Sequence, residues 1–485
     1  MSSKRAGSPS IGHPATKRQH INVNGSKRRL SFDSLADELV LVIFSYLAAV
    51  DLCHAESVNR SWRRLAKDDE LWKALFLQVF GGLRLRGGRF GSDLLSRPII
   101  PLRSQHEAPI LPSPHADRWK ELYRIGSNWK TGKCVTTSIR SLADDRQARP
   151  LLLLLGRGGS IISDGKLGVP SVKILSTHKQ ISLTSSKSTG DAPIRVSSFA
   201  LNQDVWASSV FLLAIFYSTE TKFHHLSIFQ IQTGMKSSHE DQVISPRLPR
   251  SPIVHSAYHS SFLIALSETF QLDIYHCSGG KSSQLMLIRS MSSFTSFQPS
   301  SLTISRPSST SHKVLLSYAV PVYPSHWSAA ATQLQLDDTG DIYDTRTLRI
   351  LQQGWETQTD EDYSDRGKGS KMPAVGSIQT DGRFLVVAPR NENYMELYRL
   401  RTNFLSFVRV LFGPSSPICA IVVADARAVT VSLDGNIWIH ELERGWSIEV
   451  RKLATQVSGN DTCIYFDDRR IVVSTPSFIE TISFE

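Results

Sequence analysis

Residues 431–442 read VSLDGNIWIHEL: an apolar run, a polar turn near Asp434, and a second run ending in aliphatic and aromatic side chains. A period of two, with β-branched and aromatic residues on either side of a turn cluster, is the pattern of two paired strands. Units of the same kind recur on both sides of it as ISDGKLGVPSVKIL, FYSTETKFHHLSIFQI, LSETFQLDIYHC, DTGDIYDTRTL, APRNENYMELYRL and VSTPSFIETISF. Their turns fall near Asp164, Thr219, Glu268, Asp338, Asn391, Asp434 and Thr475. From about residue 134 onward the chain therefore reads as all-β.

The turns are unequally spaced, which argues against a strict solenoid. It suits a β-propeller, whose blades of roughly 40 to 50 residues absorb insertions in their loops. The expected fold class is thus multidomain, α plus all-β, with a small helical module followed by a propeller of seven degenerate blades over 134–485. GWETQTDEDYSDRGKGSK (Gly354 to Lys371) is polar and acidic and is expected to be an exposed loop between units.

Upstream of the β region the period changes. Leu35, Leu39, Ile43 and Leu47 recur every four residues, with Val40, Phe44 and Tyr46 widening the stripe, as a helix buried on one side requires. Asp51 is a suitable N-cap for a helix carrying Leu52, Ala55 and Val58, and Asn59 for the next, carrying Trp62 and Leu65. A fourth helix starts in DDELWKALFLQVFG (Asp68 to Gly81), with Leu71, Trp72, Leu75 and Phe76 on or beside its apolar face and Gly81 expected to stop it. Prolines at 98, 101, 109, 112 and 114 forbid continuous helix across 93–118. Helix returns in ADRWKELYRIGSNWKTGK (Ala116 to Lys133), where Trp119, Leu122 and Tyr123 share a face. The expected divisions are a disordered basic tail (1–30), a helical module (31–80), a linker with a Pro-rich insertion and a connecting helix (81–133), and the β domain.

Length and composition agree with this layout. The 485 residues suggest roughly two to four domains, and 41% hydrophobic content suffices for a sizeable core. Five widely separated cysteines, with no CxxC or Cys/His cluster, indicate neither a disulfide framework nor a zinc site, so a reducing intracellular compartment, nuclear or cytoplasmic, is expected. PLLLLLG (Pro150 to Gly156) is too short to cross a membrane, and no membrane partner is expected. The net charge of +11 is concentrated in residues 1–34, where Lys4, Arg5, Lys17, Arg18, Lys27, Arg28 and Arg29 face only Asp33. These pairs and the triplet form either a bipartite nuclear address or a plain solvated tail. A basic tail alone confers only salt-sensitive affinity, so no specific nucleic acid is expected. Ser8-Pro9, Ser113-Pro114, Ser245-Pro246, Ser251-Pro252 and Ser416-Pro417 are candidate proline-directed phosphorylation steps.

The stretch from Leu35 to about Phe76 resembles an F-box. The matching positions are Leu35, Glu38 and Leu39, then Ile43, Phe44 and Leu47, Asp51-Leu52, Val58, Trp62-Arg63-Arg64-Leu65-Ala66 and Leu71-Trp72. Ala36 stands where the family usually has proline. RWKELYRIGSNWKTGK adds a second likeness, because F-box proteins with C-terminal WD-repeat propellers often carry such a segment, here Trp119, Lys120, Tyr123, Asn128, Trp129 and Gly132. The β region departs from the WD pattern: it has no Trp-Asp dipeptide, and the one Gly-His pair, Gly12-His13, lies in the tail.

The resemblance implies the substrate-recognition subunit of a cullin-based SCF ubiquitin ligase. Leu35, Glu38, Leu39, Ile43, Phe44, Leu47, Leu52, Val58, Trp62, Leu71 and Trp72 would meet a Skp-type adaptor, with Trp62 and Trp72 as the main anchors. An ordinary helical core is the bland alternative for these side chains and accounts for about half of them. The propeller would hold an unknown protein substrate, and a propeller scaffold unconnected with ubiquitin is the alternative function. Enzyme readings fare poorly. GRGGS (Gly156 to Ser160) is followed by β-type sequence where a phosphate cradle needs a helix, and GGKSS (Gly279 to Ser283) has Tyr275 where a P-loop needs its first glycine. His224-His225 reads as an exposed pair, and no catalytic residue, metal or cofactor is expected.

Overall fold

The computed structural model describes residues 35–85 and 118–140, the strands lying between 151 and 244, and residues 251–485 apart from 351–374 and short connecting segments. The basic tail, the Pro-rich insertion, GGKSS and the acidic stretch 354–371 lie outside the described residues. The chain divides into two compact units, Met1–Leu75 and Phe76–Glu485.

In the first unit, helices α1 (Asp37–Phe44), α2 (Ala49–Ala55) and α3 (Arg60–Ala66) lead into the start of α4 (Asp69–Leu85). Asn59 caps α3 as expected, its side chain accepting from the Trp62 N–H at 2.7 Å. Asp51 does not cap α2, which starts two residues earlier; it sits in the first turn, where its charge still complements the helix dipole. Val40, Phe44, Leu52, Ala55, Leu65, Ala66, Leu71 and Trp72 are buried together as the core of this small module. Phe44 meets the Trp62 ring edge-on at 5.4 Å, and the Trp72 indole N–H donates to the Ala66 carbonyl at 2.8 Å. Gly81 does not end α4, which runs on to Leu85.

The second unit consists of the rest of α4, helix α5 (Arg118–Thr131) and twenty-eight described strands paired antiparallel in groups of four. Six groups follow in chain order over 151–182, 194–244, 253–292, 299–350, 375–412 and 418–452. The seventh takes Cys463–Phe466, Arg470–Ser474 and Phe478–Ser483 from the end of the chain and Val135–Arg140 from the start of the β region, with Val135 opposite Ser483 and Arg140 opposite Phe478. The first strand of each group lies against the first strands of both neighbouring groups, the seventh against the first, so the described sheets close a ring. This is a β-propeller. Its sheets pack face to face through apolar clusters such as Phe262, Ile264 and Ile274 against Val314 and Leu336. The outermost strands of the fourth and fifth groups also pair in parallel at Arg349–Phe404 and Ile350–Leu405, fusing them into one eight-stranded sheet.

Antiparallel order sets two ends to the ring. Turns between first and second strands and between third and fourth strands lie at one end; the remaining turns and the links between groups lie at the other. Helix α5 is seated at the former. Trp129 stacks on Phe484 at 4.1 Å and reaches Phe466, the Arg427 guanidinium lies 4.8 Å over its ring, and Asn128 donates to the Phe484 carbonyl at 2.9 Å. Farther back on α5, Trp119 and Tyr123 contact Phe76 and Phe80, and Gly126 leaves room for the Phe80 ring. Gly132, at a φ of +70°, then turns the chain into Val135–Arg140. The helix expected as a connector is thus built into the core of the β unit.

Candidate docking surfaces

Helix α1 carries apolar side chains on two faces. Val40 and Phe44, one turn apart, point into the module, while Leu39 and Val42 (each 55% exposed) and Ile43 (40%) face solvent, as does Tyr46 (85%) just past the end of the helix. Val50 and Val58 add two more large exposed apolar side chains within the next dozen residues. A small module does not ordinarily leave so much apolar surface in water.

The residues expected to meet an adaptor separate into three groups. Leu39, Ile43, Val58 and Glu38 are exposed, and Leu35, Leu47 and Trp62 are half-buried. Phe44, Leu52, Leu71 and Trp72 are buried in the module's own core. Trp72 has 2% of its surface left and its indole N–H already bonded, so its part is to hold the module together rather than to present a surface anchor. Tyr46, read in sequence as part of a buried stripe, lies outward. Val42 and Val50 were missed because a stripe taken every four residues from Leu35 passes over them; the i, i+4 pair Val42 and Tyr46 was the available signal.

At the propeller end that holds α5, buried carboxylates tie turns down. Asp381 accepts the backbone N–H groups of Arg383 (2.9 Å), Phe384 (2.7 Å) and Ala426 (2.8 Å), the last from the next sheet. Burial pushes its carboxyl above the usual range, against the pull of those donors. Asp467 does the same for Arg469 and Arg470, and burial raises it likewise. The arginines here are engaged structurally: Arg383 with Glu443 at 2.6 Å, Arg469 with Glu121 and Glu485 at 2.8 Å, and Arg409 with the Arg444 carbonyl.

Within the sixth sheet, His440 lies between the Thr430 hydroxyl (3.2 Å) and the Ser447 hydroxyl (2.8 Å), and burial pulls its imidazole down to about 3. At the end away from α5, Asp434 is half-buried, which raises its carboxyl. Hydrogen bonds from Ser432, Ser416, Ser415 and the Asn436 N–H outweigh that and hold it at about 2. These groups buttress turns and strands. Among the described residues no group of three His, Cys, Asp or Glu side chains could hold a metal, the cysteines are free thiols, and no helix is long and apolar enough to cross a membrane. The strands Leu151–Leu154 and Ser160–Ser163, which flank the glycine-rich stretch, pair antiparallel as a hairpin reading requires.

A helical module with uncovered apolar side chains, joined to a ring of sheets, is the construction of an F-box protein with a C-terminal propeller. The family model described as F-box-like matches residues 32–78, and that described as F-box protein pof12 beta-propeller matches residues 134–475. The chain belongs to this F-box protein β-propeller family. It is similar to "Probable E3 ubiquitin ligase complex SCF subunit sconB" of Arthroderma otae, with 31% identity over 120 residues, covering 22% of this chain and 18% of that protein. It is also similar to an F-box protein of Saccharomyces cerevisiae, with 32% identity over 111 residues, covering 21% and 17%. The aligned stretch spans under a fifth of either relative. Against the WD40 β-propeller domain of Doa1 the TM-score is 0.40 at 10% identity, over 72% of this chain and 96% of that one.

Proposed function

We propose that this chain is the substrate receptor of an SCF-type ubiquitin ligase. The observation that carries the reading is the set of exposed apolar side chains on the F-box module, Leu39, Val42, Ile43, Tyr46, Val50 and Val58, over a core completed without them. Covering such surface is worth about 25 cal/mol per Å² before association costs are subtracted, enough to drive docking on a Skp-type adaptor. Relatives named as an SCF subunit and as an F-box protein support that choice of partner.

The propeller then holds the target. Helix α5 packs against the sixth and seventh sheets at one end, and capture is assigned to the opposite end. The chain acts by proximity, bringing a protein substrate to ubiquitin carried by other subunits, with no bond chemistry of its own. Its place is inside the cell, in nucleus or cytoplasm, with the basic residues Lys4 to Arg29 as either a nuclear address or a plain solvated tail.

The test is co-purification with the adaptor for the wild type and for Leu39→Asp plus Ile43→Asp. Both positions are exposed, so the double variant is expected to keep its fold and lose the adaptor. Undiminished binding by a folded double variant would overturn the assigned interface. Failure of the wild type to bind any Skp-type adaptor would overturn the function.

A further inference from the structure

The third and sixth sheets repeat one construction at the end away from α5. In the sixth, Ser416-Pro417 precedes the first strand, Ile418–Ala424. The Ser416 hydroxyl donates to Asp434 Oδ1 at 2.7 Å, the Asp434 N–H donates to Ser416 Oγ at 3.1 Å, and the Leu433 N–H donates to the Pro417 carbonyl at 2.9 Å. In the third, Ser251-Pro252 precedes Ile253–His259, and the Ser251 and Thr269 hydroxyls share a hydrogen bond of 2.7 Å. There the Glu268 N–H donates to the Pro252 carbonyl at 3.0 Å. Both serines reach a partner 18 residues on, and the residue after that partner has positive φ in each case, Gly435 at +85° and Phe270 at +60°.

The two copies differ in one chemical respect. The partner of Ser251 is a neutral hydroxyl, whereas that of Ser416 is a carboxylate, which also collects the Ser415 hydroxyl (2.9 Å), the Ser432 hydroxyl and the Asn436 amide (2.9 Å). The pair Ser416–Asp434 thus joins the link between the fifth and sixth sheets to a turn of the sixth, and it depends on a hydroxyl proton pointing at a negative charge.

We propose that Ser416 is a phosphorylation site for a proline-directed protein kinase, and that its modification releases the link 413–417 from the turn at Asp434. In the transfer, Ser416 Oγ attacks the γ-phosphorus of ATP, the bond to the β,γ-bridging oxygen breaks, ADP departs, and the hydroxyl proton passes to the kinase's basic carboxylate. The product has lost its hydrogen-bond donor and carries a charge of about −1.5 to −2 at neutral pH. Asp434 is already ionised there, so the two anions repel across what was a hydrogen bond. Ser416 is half-buried in a five-residue link holding Gly413, Pro414 and Pro417, and releasing that link breaks the bonds of the Ser415 and Ser416 hydroxyls to Asp434, those of the Asp434 N–H to Ser416 and the Asn436 amide to Ser415, and that of the Leu433 N–H to the Pro417 carbonyl, with no strand pairing lost. The site stands on this geometry alone; that it would regulate target capture rests on the ligase reading, because the modified end is the one that reading assigns to capture.

The experiment treats the full-length protein with a proline-directed kinase and ATP, maps phosphate by mass spectrometry, and measures amide hydrogen exchange at Leu433 and Asp434. A synthetic peptide of residues 411–421 serves as the kinase's positive control. Phosphate on Ser416 is expected, with exchange at those amides rising roughly tenfold or more, the scale of a lost hydrogen bond to a charged group. Ser416→Ala removes the hydroxyl without adding charge and should raise exchange less, while Ser251→Glu should leave the sixth sheet unchanged. A phosphorylated peptide beside an unmodified folded chain overturns the site. Phosphate on Ser416 with exchange no greater than in Ser416→Ala overturns the release.

Discussion

His440 should make the propeller measurably acid-sensitive between pH 7 and pH 5. Its imidazole lies in a fully buried place between two hydroxyls, and burial lowers it from 6.5 to about 3. A group depressed on folding gives stability that is present above its unfolded value and is lost as pH falls toward the folded one. Between pH 7 and pH 5 the unfolded chain takes up about 0.7 of a proton at this site and the folded chain almost none. At about 1.4 kcal/mol per unit over the roughly 1.5 units below 6.5, the native state loses about 2 kcal/mol. Urea unfolding followed by tryptophan fluorescence at both pH values, for wild type and His440→Gln, isolates this contribution, because all other groups cancel in the difference. The wild type should lose about 2 kcal/mol more than the variant across that interval. Equal losses would refute the assignment, as would a ¹³C-labelled His440 ring that titrates near 6.5 in the folded protein.

Other substitutions test separate parts of the structure. Leu52→Ala removes a completely buried side chain from the F-box module and should destabilise it by about 2–5 kcal/mol, whereas Val58→Ala, exposed at 59%, should cost under about 0.5 kcal/mol; thermal melts compare them. Trp129→Ala should cost about 3–5 kcal/mol and loosen the Val135–Arg140 strand, seen as faster amide exchange there. Gly413→Ala would place a Cβ 2.7 Å from the Trp438 ring and should lower stability by about 1–3 kcal/mol through overpacking. Asp434 sits at about 2, so its contribution is present above the ordinary carboxylate value of 3.8 and disappears as pH falls toward 2. Asp434→Asn should flatten that part of the acid unfolding curve.

Much of this architecture was legible because strand pairs carry a local signature. The turns near Glu268, Asn391 and Asp434 are where their sequence patterns placed them, each between the second and third strands of its sheet. Asp338 misled: its turn joins the third and fourth strands, so the spacings drawn through it compared unlike turns. The strands around it are nine to twelve residues long, and the corresponding second turn carries no Gly or Asn/Asp cluster to announce it. On the helical module, sequence identified the apolar positions but not which way they face. Two faces of α1 are hydrophobic, and periodicity cannot say which meets the module's core and which meets another molecule. The embedding of α5 was hidden for a further reason: its contacts with Phe466 and Phe484 span more than 300 residues and leave no local trace.

The seventh sheet places a demand on biosynthesis. Val135–Arg140 leaves the ribosome about 350 residues before its hydrogen-bonding neighbour Phe478–Ser483. At elongation speeds of about 5–20 residues per second, that early strand waits roughly 20 to 70 seconds for a mate. Throughout this interval the nascent polypeptide carries an unclosed circle with open edges at both sides, a template for misassembly with other growing chains. Its yield in cells should therefore depend on chaperones that shield strand edges until Phe478–Ser483 has emerged.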